Sequence, residues 1–342
     1  MSNTALLLAD GLIATTAIAE RVLRDAFGPV KVITPESLPG TTLCGRPLFI
    51  SRLCHPRYSW LPEYLRERSA NYVYLLDDNF YELSFDYDAH NGAFFSHPAV
   101  HDSLTGFLQG ASYVWVMSQP LGDYLQQRLP DLRVACIPAP VDIELFDAAA
   151  TSTIRTASPR SNRPFTVGYP TTRRPNVAEL VTQVVHLATE KWSDDIRFEF
   201  VGWCPDAIAE HPNVATFPAT LDYESFARVL STSQWDAAIA PLNESVFENC
   251  KTTVKFREYG AARIAGIYSR GPLFESSVRH GENGLLAAWD PTDWVAQIDR
   301  VKSDHVLKAS IAQRARKDVE QVHAQAVVAR ILRATFSSCF AQ

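Results

Sequence analysis

The sequence predicts an α/β protein built from two Rossmann-like domains, each containing a parallel β-sheet. Short apolar runs alternate with stretches of helical periodicity in both halves of the chain, a pattern typical of strands covered by helices on both faces. Between the halves, residues 148–164 are small, polar and non-periodic, as in an interdomain linker. The chain has 342 residues, which is long for one domain and comfortable for two.

In the first half, six apolar runs predict six strands. The first run ends in Asp10-Gly11 and is followed by a helical pattern that stops at Gly28 and Pro29, residue types that commonly end helices. The predicted strands occupy residues 4–10, 30–34, 47–52, 71–78, 113–118 and 133–140. We therefore expect residues 1–147 to form the first domain.

The second half repeats the alternation. Its predicted strands occupy residues 165–170, 197–203, 213–218, 235–242 and 266–269. A long helix is predicted from about residue 304 into the 330s, because apolar residues recur there at helical spacing. We assign residues 165–319 to a second domain. Open parallel sheets bind ligands at the carboxyl ends of their strands, so the loops at those ends are candidate sites.

Composition indicates an ordinary globular protein. Hydrophobic residues make up 46% and charged residues 20% of the chain, and the net charge is −6, which argues against general nucleic-acid binding. Six cysteines show no CxxC spacing, so neither a zinc ribbon nor a disulfide framework is indicated. The sequence starts without a signal-peptide pattern, and no apolar run approaches the roughly 18 residues that span a bilayer. We expect a cytoplasmic protein whose membrane contact, if any, is peripheral.

Residues 240–269 contain the pattern that most strongly indicates a ligand. A buried strand leads into a polar loop and then a helix predicted to open at Lys251 and Thr252, where free N–H groups and the helix dipole attract an anion. Lys251, Lys255 and Glu258 recur at helical spacing. A bound phosphate or diphosphate would offset the unfavourable position of the lysines near a helix start, and Glu258 could bind a ribose hydroxyl. The spacing also fits a solvated helix face.

The same run resembles the C-terminal nucleotide-sugar motif of retaining GT-B glycosyltransferases of family 4 (glycosyl transferases group 1). It is most similar to the branch whose motif reads roughly PL-x-x-x-x-F-N-x-C-K-S-x-x-K-x-x-E-Y-x-A-x-G. The matching residues are Pro241, Leu242, Phe247, Cys250, Lys251, Thr252, Lys255, Glu258, Tyr259 and Ala261. Downstream, residues 276–287 resemble the family's E-x-V-x-x-G-x-x-G-L-L segment.

Two departures from the family pattern stand out. The family's two glutamates lie eight positions apart, whereas Cys250 stands eight positions before Glu258; this suits the Cys-Lys-Ser branch, in which lysine replaces part of the acidic motif. The usual glycine of the family's AAG sequence is Arg263.

The resemblance implies the GT-B fold, in which two Rossmann-like domains face each other across a cleft and a C-terminal helix, here about residues 320–342, crosses back to the N-terminal domain. It implies a glycosyltransferase that moves a hexosyl or deoxyhexosyl group from a nucleotide-diphosphate sugar, with retention, to a saccharide or lipid-linked saccharide. Assembly of a surface polysaccharide or glycoconjugate is the implied role. The nucleotide sugar is a substrate, so no cofactor and no metal is expected.

The resemblance also assigns donor-side residues. Residues 168–176 are similar to the family's G-x-x-G-x-x-x-x-K/R loop, although threonine replaces the second glycine. We favour Arg173 over Arg174 as the residue that reaches the diphosphate, beside Lys255. Phe217 and Ala219 follow the third strand of the second half, where backbone groups hold the base in GT-B folds. Gly11 ends the first strand of the chain and would let the backbone approach a phosphate, or form a plain turn.

Asp77, Asp78 and Asn79 end the central predicted strand of the first half. Read alone, they could form a DXD motif whose carboxylates hold a divalent cation, but the anion-binding signals lie in the second half. The Cys-Lys-Ser branch carries a similar Asp-Asp on the acceptor side, which implies that Asp78 orients an acceptor hydroxyl. A helix cap or loop carboxylate is the other interpretation.

Two other function classes compete with a retaining transferase. A GT-B-fold sugar epimerase or an inverting transferase would need a positioned general base or an acid–base set, and no histidine of this sequence fits that role convincingly. A two-lobed sugar-binding protein also has two α/β lobes, but the missing signal-peptide pattern and the Lys251, Lys255 and Glu258 set argue against it. Site residues decide between these classes, because fold alone does not determine function.

Overall fold

The chain forms two compact units. The computed structural model describes residues 4–11, 13–83, 89–152, 163–220 and 222–340. The first unit comprises Met1–Pro140, Val246–Thr252 and Val322–Gln342, and the second comprises Val141–Ser245 and Thr253–Gln321. The chain therefore passes from one unit to the other four times.

The first unit contains a six-stranded parallel sheet in the order β2-β1-β3-β4-β5-β6. The strands are β1 (Ala5–Leu8), β2 (Val30–Ile33), β3 (Leu48–Ser51), β4 (Val73–Leu76), β5 (Tyr113–Val116) and β6 (Val134–Cys136). Its helices are α1 (Ala14–Phe27), α2 (Leu61–Glu67), α3 (Ala89–Phe95), α4 (Pro98–Gly110), α5 (Gln119–Arg128), α9 (Val246–Asn249) and α14 (Gln325–Phe336). Short 3-10 helices span Pro35–Gly40, Pro56–Tyr58 and Ser337–Cys339.

Both faces of this sheet are covered, which explains its unbroken apolar runs. Alternate residues of a strand point to opposite faces. Leu6 therefore packs in one apolar layer with Leu61 of α2, whereas Leu7 packs in the opposite layer with Val22 of α1 and Val328 of α14.

The C-terminal helix α14 belongs to the first unit, as predicted. It packs on α1, where Gln325 Nε2 donates to Asp25 Oδ2 at 2.7 Å and Arg333 Nη2 donates to the Asp25 carbonyl at 2.9 Å. Phe336 is fully buried against Phe49 of β3, with ring centroids 6.3 Å apart. Apolar burial and charged hydrogen bonds together attach the end of the chain to the N-terminal sheet.

The second unit contains a six-stranded parallel sheet in the order β12-β11-β10-β7-β8-β9. The strands are β7 (Phe165–Thr171), β8 (Ile196–Gly202), β9 (Val214–Phe217), β10 (Ala237–Ala240), β11 (Ala265–Ser269) and β12 (Leu285–Ala287). Its helices are α6 (Ile143–Ser152), α7 (Ala178–Trp192), α8 (Tyr223–Thr232), α10 (Val254–Ala261), α11 (Pro272–Glu275), α12 (Pro291–Ser303) and α13 (His305–Val322). Short 3-10 helices span Pro175–Val177, Ser193–Asp195 and Asp206–Ile208.

The fold class predicted from sequence, α/β with two Rossmann-like parallel-sheet domains, is confirmed. Three details differ from the prediction. The long final helix is two helices, α13 and α14, separated at residues 323–324. Residues 148–152 of the predicted linker are the end of α6, and residues 153–162 of that linker lie outside the described part of the chain. Strand β12 was not predicted.

Arg263 occupies a position that suits glycine. It follows α10 with φ of 57°, in the left-handed region that side chains other than glycine adopt only at a cost. Its guanidinium donates to Asp147 Oδ1 of α6 at 2.9 Å. A glycine would adopt this conformation without that cost. In this chain an arginine adopts it instead, and its side chain forms an ion pair with Asp147.

Each sheet has one point at which the strand order reverses direction, and ligands bind open α/β sheets at such points. In the first sheet the reversal lies between β1 and β3, so the loops that begin at Ala9 and Arg52 flank it. In the second sheet it lies between β7 and β10, so the loops that begin at Thr172 and Pro241 flank it. Gly11 and Arg173 lie in these loops, and Lys251 and Thr252 lie in the segment between β10 and α10.

Gly168 of β7 allows the Trp235 ring to pack on the second sheet, which gives a stability prediction. A Cβ at Gly168 would lie 2.0 Å from Trp235 Cδ2, and the ring is held because its Nε1 donates to Glu199 Oε2 at 2.8 Å. We expect Gly168→Ala to lower the free energy of unfolding by about 1–3 kcal/mol, as overpacking does. Urea denaturation measures it, with Gly40→Ala as control because a Cβ there meets nothing within 4 Å. Equal stability of both variants would contradict this packing role.

Candidate functional site

The loop after β7 contains the two candidate arginines of the second unit. Arg173 is exposed, whereas Arg174 is half-buried. Burial raises the pKa of Tyr259 of α10 well above its ordinary value, and the charge of Arg174 opposes that rise. Because β7 and β10 are paired parallel strands, the loop after β7 and the segment that leads from β10 to α10 both begin at the carboxyl edge of the second sheet. The choice of Arg173 as the phosphate ligand stays a prediction.

Helix α10 begins later than predicted. Its first residue is Val254, and Thr253 is the N-cap residue. Lys251 and Thr252, both half-buried, precede the helix in the turn after α9. The prediction that Lys251 shares one helix face with Lys255 was therefore wrong, because the backbone between these two lysines is not one continuous helix.

Lys255 and Glu258 form the charged pair of α10. Lys255 Nζ donates to Glu258 Oε2 at 2.9 Å, and the carboxylate side chain is only 5% exposed, compared with 19% for the lysine. The ammonium also lies 5.1 Å from the ring centroid of Phe226 of α8. Since Lys255 is the second residue of α10, its charge opposes the helix dipole. The dipole, the ammonium and the nearby arginine loop together favour an anion at this edge.

The remaining donor-side candidates are at strand ends. Phe217 is the last residue of β9 and is 45% exposed. Ala219 follows it and is also exposed. Gly11 follows β1 with φ of 151°, a conformation that favours glycine. Their predicted contacts with a nucleotide stay predictions.

The segment Val246–Thr252, which precedes α10, is held by the first unit. Ser118 Oγ, at the end of β5, donates to the Cys250 carbonyl at 2.8 Å, and Asn79 Nδ2 donates to Cys250 Sγ at 3.4 Å. Cys250 is 3% exposed within the apolar core of that unit. The cysteine of the family-like motif is thus a buried anchor, which explains why a small, weakly polar residue stands where the family has a glutamate.

Asp77 and Asp78 follow β4, and Arg52 faces both. The Arg52 guanidinium donates to Asp77 Oδ1 and lies 3.3 Å from Asp78 Oδ2. Lys251 Nζ lies 3.8 Å from Asp78 Oδ1. Thr15 Oγ1 of α1 donates to Asp77 Oδ2 at 2.6 Å. The structure therefore brings Asp78 and Lys251 together, in a cluster of two carboxyl groups and two cationic side chains.

Burial and charge act in opposite directions on this cluster. Burial raises the pKa of Asp77 above its ordinary value, although the Arg52 charge lowers it. Burial disfavours the charged form of Arg52, but Asp77 and Asp78 more than compensate, and the pKa of Arg52 is raised. Arg52 is thus a permanent cation.

Arg52 was not selected from the sequence. It is the first residue after β3, in one of the two loops at the reversal point of the first sheet. A basic residue directly after a predicted strand was visible in the sequence and could have marked it. Its acidic partners could not be read from the sequence, because they lie 25 and 26 positions further along.

A second polar group lies beside the end of β1. Arg57 Nη2 contacts both carboxylate oxygens of Asp10, at 2.9 and 2.8 Å. The Tyr58 hydroxyl lies 3.0 Å from Asp10 Oδ1 and 2.8 Å from Glu36 Oε1. Burial and the two carboxylates raise the pKa of Tyr58. This phenol is therefore a neutral hydrogen-bond donor at physiological pH.

Within the described residues, no group of three or more His, Cys, Asp or Glu side chains is arranged to hold a metal ion. Among the helices in the described part of the chain, none has the length and apolar character needed to cross a membrane.

The fold is shared with solved structures across the whole chain. Sucrose-phosphate synthase from Thermosynechococcus elongatus superposes with a TM-score of 0.73 at 14% identity, covering 99% of both chains. Anabaena HepE in complex with UDP and glucose superposes with a TM-score of 0.70 at 14% identity, covering 98% of this chain and 100% of HepE. A glycosyltransferase from Rickettsia africae superposes with a TM-score of 0.61 at 12% identity, covering 98% of both chains.

At these identities the similarity establishes the fold, which is the GT-B type predicted from the sequence. No protein-family model matches this sequence, and no curated protein matches it. The reaction must therefore be argued from the residues at the two sheet edges. In the second unit these residues include the Lys255–Glu258 ion pair of α10, and in the first unit they include the Asp78 carboxylate between Arg52 and Lys251.

Proposed function

We propose that this protein is a glycosyltransferase that uses a UDP-sugar as donor. It would transfer a hexosyl or deoxyhexosyl group to a saccharide or lipid-linked saccharide, with retention, in the assembly of a surface polysaccharide or glycoconjugate. The donor nucleotide would bind at the reversal point of the second sheet. Retention and the biological role follow from the family resemblance of residues 240–269.

The observation that carries the proposal is the Lys255–Glu258 pair at the sheet edge. A carboxylate 5% exposed is costly to desolvate, and a buried ion pair is weak evidence for a purely stabilising role. A carboxylate can accept hydrogen bonds from both hydroxyls of a ribose, and an ammonium one turn earlier suits a diphosphate. The pair therefore fits the two polar parts of a nucleoside diphosphate.

The charges also suit the reaction. When the bond between the sugar and the diphosphate breaks, the electron pair stays on the diphosphate, whose negative charge rises. Lys255 and Arg173 would stabilise that charge, an effect worth roughly 3 kcal/mol of barrier for each well-placed group. Phe217 and Ala219 would flank the base, and Asp78 would accept a hydrogen bond from the acceptor hydroxyl.

The choice of UDP is supported by the matched structures. HepE has been solved with UDP and glucose and with UDP-glucose. The pneumococcal O-GlcNAc transferase GtfA, which superposes with a TM-score of 0.62, has been solved with UDP and GlcNAc. UDP and UDP-glucose are therefore the first probes for this chain.

Binding of UDP tests the proposal through Glu258. We expect Glu258→Gln to weaken UDP binding by about tenfold or more, because hydrogen bonds to a charged group are worth about 1.5–3 kcal/mol. Glutamine keeps the size of the side chain and an oxygen that can accept from Lys255. Isothermal titration calorimetry measures the dissociation constant, and Glu275→Gln is the control because Glu275 of α11 is exposed.

Unchanged UDP affinity in a folded Glu258→Gln variant would remove the ribose role of this carboxylate. Absence of UDP binding by the wild type, at millimolar nucleotide, would overturn the proposed function itself. Thermal unfolding of each variant separates a lost contact from a lost fold.

We further propose that the enzyme needs no metal ion. Arg173 and Lys255 would supply the positive charge that a divalent cation supplies in other transferases. We therefore expect UDP binding and UDP release from UDP-glucose to be unchanged in EDTA. Loss of turnover in EDTA that Mn²⁺ restores would instead assign Asp77 and Asp78 to metal binding and reject this mechanism.

A further inference from the structure

Arg52 combines an unfavourable backbone conformation with a set of charged partners. Its φ of 59° lies in the left-handed region, which costs an L-residue energy that glycine would avoid. Residues are kept in such conformations where the surrounding structure and function require the side chain. The Arg52 backbone N–H donates to the Leu75 carbonyl of β4 at 3.0 Å, and its side chain contacts Asp77 and Asp78, which follow that strand.

Asp77 anchors the guanidinium. The side chain of Asp77 is 11% exposed, and its two oxygens are bound by Arg52 and by Thr15. The guanidinium carbon also lies 4.7 Å from the ring centroid of Phe80. Arg52 is therefore fixed by a carboxylate, an aromatic ring and its own backbone.

Asp78 differs from Asp77 in its exposure. Its side chain is 28% exposed, with Oδ2 facing Arg52 at 3.3 Å and Oδ1 facing Lys251 at 3.8 Å. Because Arg52 is fixed by Asp77, its charge sets the orientation of the neighbouring carboxylate. With a cation on each side, the Asp78 carboxylate is held in place and can accept a hydrogen bond from a hydroxyl.

We propose that Arg52 is a positioning residue that holds the Asp78 carboxylate in the orientation that accepts a hydrogen bond from the acceptor hydroxyl. The assignment rests on the proposed glycosyltransferase function. In it Asp77 is an anchor for Arg52 and makes no contact with the acceptor. Water is the smallest acceptor with the same hydroxyl chemistry, so donor hydrolysis reports on this group.

The test is a double-mutant cycle on UDP release from UDP-glucose in water. Arg52→Gly removes the side chain at a conformation that glycine adopts freely. We expect Arg52→Gly and Asp78→Asn each to lower kcat by about tenfold, and the double variant to match Asp78→Asn within about twofold, because one residue acts through the other. The dissociation constant of UDP should stay within about twofold in all three variants.

A multiplicative loss in the double variant would show that Arg52 does not act through Asp78 and would overturn the assignment. So would a kcat unchanged in Arg52→Gly. If the wild type binds no UDP, the proposed function fails and the assignment fails with it. Normal UDP binding together with multiplicative losses in the double variant would reject the positioning role of Arg52 and leave the proposed function standing.

Removal of Arg52 leaves Asp77 buried without its cation, which can unfold the protein. The variant Arg52→Gly/Asp77→Asn removes both charges and keeps the size of the side chain at position 77. We expect it to regain the wild-type melting temperature while its kcat stays about tenfold low. Recovery of kcat together with the melting temperature would show a purely structural role.

Discussion

Lys255→Ala is expected to lower kcat for transfer from the nucleotide sugar by about a hundredfold or more, with a smaller change in the donor KM. Lys255 Nζ is held 2.9 Å from the buried Glu258 carboxylate, so the ammonium is oriented before the donor binds. Negative charge on the diphosphate grows as the sugar bond breaks, so the interaction is stronger in the transition state than in the ground state. An effect of that kind is found mainly in kcat.

Single-turnover kinetics with UDP-glucose measure this effect. Lys191→Ala is the matched control, because Lys191 forms an exposed ion pair with Asp299 at 2.7 Å in the same unit. Arg173→Ala is expected to resemble Lys255→Ala, and Arg174→Ala distinguishes the two arginines of the loop after β7. Wild-type rates in both Lys255→Ala and Arg173→Ala would show that these charges are only a solvated surface.

The strands could be predicted because parallel strands that are buried on both faces are nearly continuous apolar runs. All four residues of β1 are buried, and so are all four of β10. Strand β12, Leu285–Ala287, lies in a segment that was interpreted only through its family resemblance, and like β6 it has just three residues, too few to show a period on their own. The strand order also could not be obtained from periodicity, which contains no information on pairing.

Local periodicity also misjudged two helix boundaries. Apolar spacing continues across residues 323–324, yet the His323 ring nitrogen Nδ1 lies 2.9 Å from the Ala139 carbonyl, a contact that separates α13 from α14. Similarly, Lys251 and Lys255 have helical spacing, but Cys250 is buried among residues of the first unit. Both breaks depend on partners far away in the sequence.

Some residues of the candidate site could likewise be found from local spacing, whereas others are brought together only by the fold. Lys255 and Glu258 could be found from spacing because they are neighbours on one helix. Arg52 and its two acidic partners come from different loops, which the sheet topology alone brings together. Residue type and position after a strand indicate which side chains reach a sheet edge, whereas the pairs that they form there follow from the fold.

Asp236 is expected to be the most important single carboxylate for the stability of the second unit. Its side chain is 10% exposed, and it accepts from Lys308 Nζ at 2.7 Å, from Arg163 Nη1 at 2.7 Å and from the Thr166 backbone N–H at 3.1 Å. We expect Asp236→Ala to lower the free energy of unfolding by about 3–5 kcal/mol, because it leaves two poorly exposed cations without their shared partner.

The pH dependence of stability follows from the same contacts. Burial opposes ionisation of Asp236, but the hydrogen bond from Lys308 outweighs it with the help of Thr166 and Arg163, and the pKa is lowered. A carboxyl group whose pKa is lower in the folded state than in the unfolded state contributes its full stabilisation above its unfolded pKa, about 3.9. That stabilisation is lost as the pH falls through the folded pKa. The difference in unfolding free energy between wild type and Asp236→Ala should therefore shrink in acid. Urea denaturation at pH 7 and near pH 3 measures it.

Asp299→Ala is the control, because it breaks an exposed ion pair and should cost less than about 1 kcal/mol at either pH. An equal cost for both variants would contradict the role of Asp236.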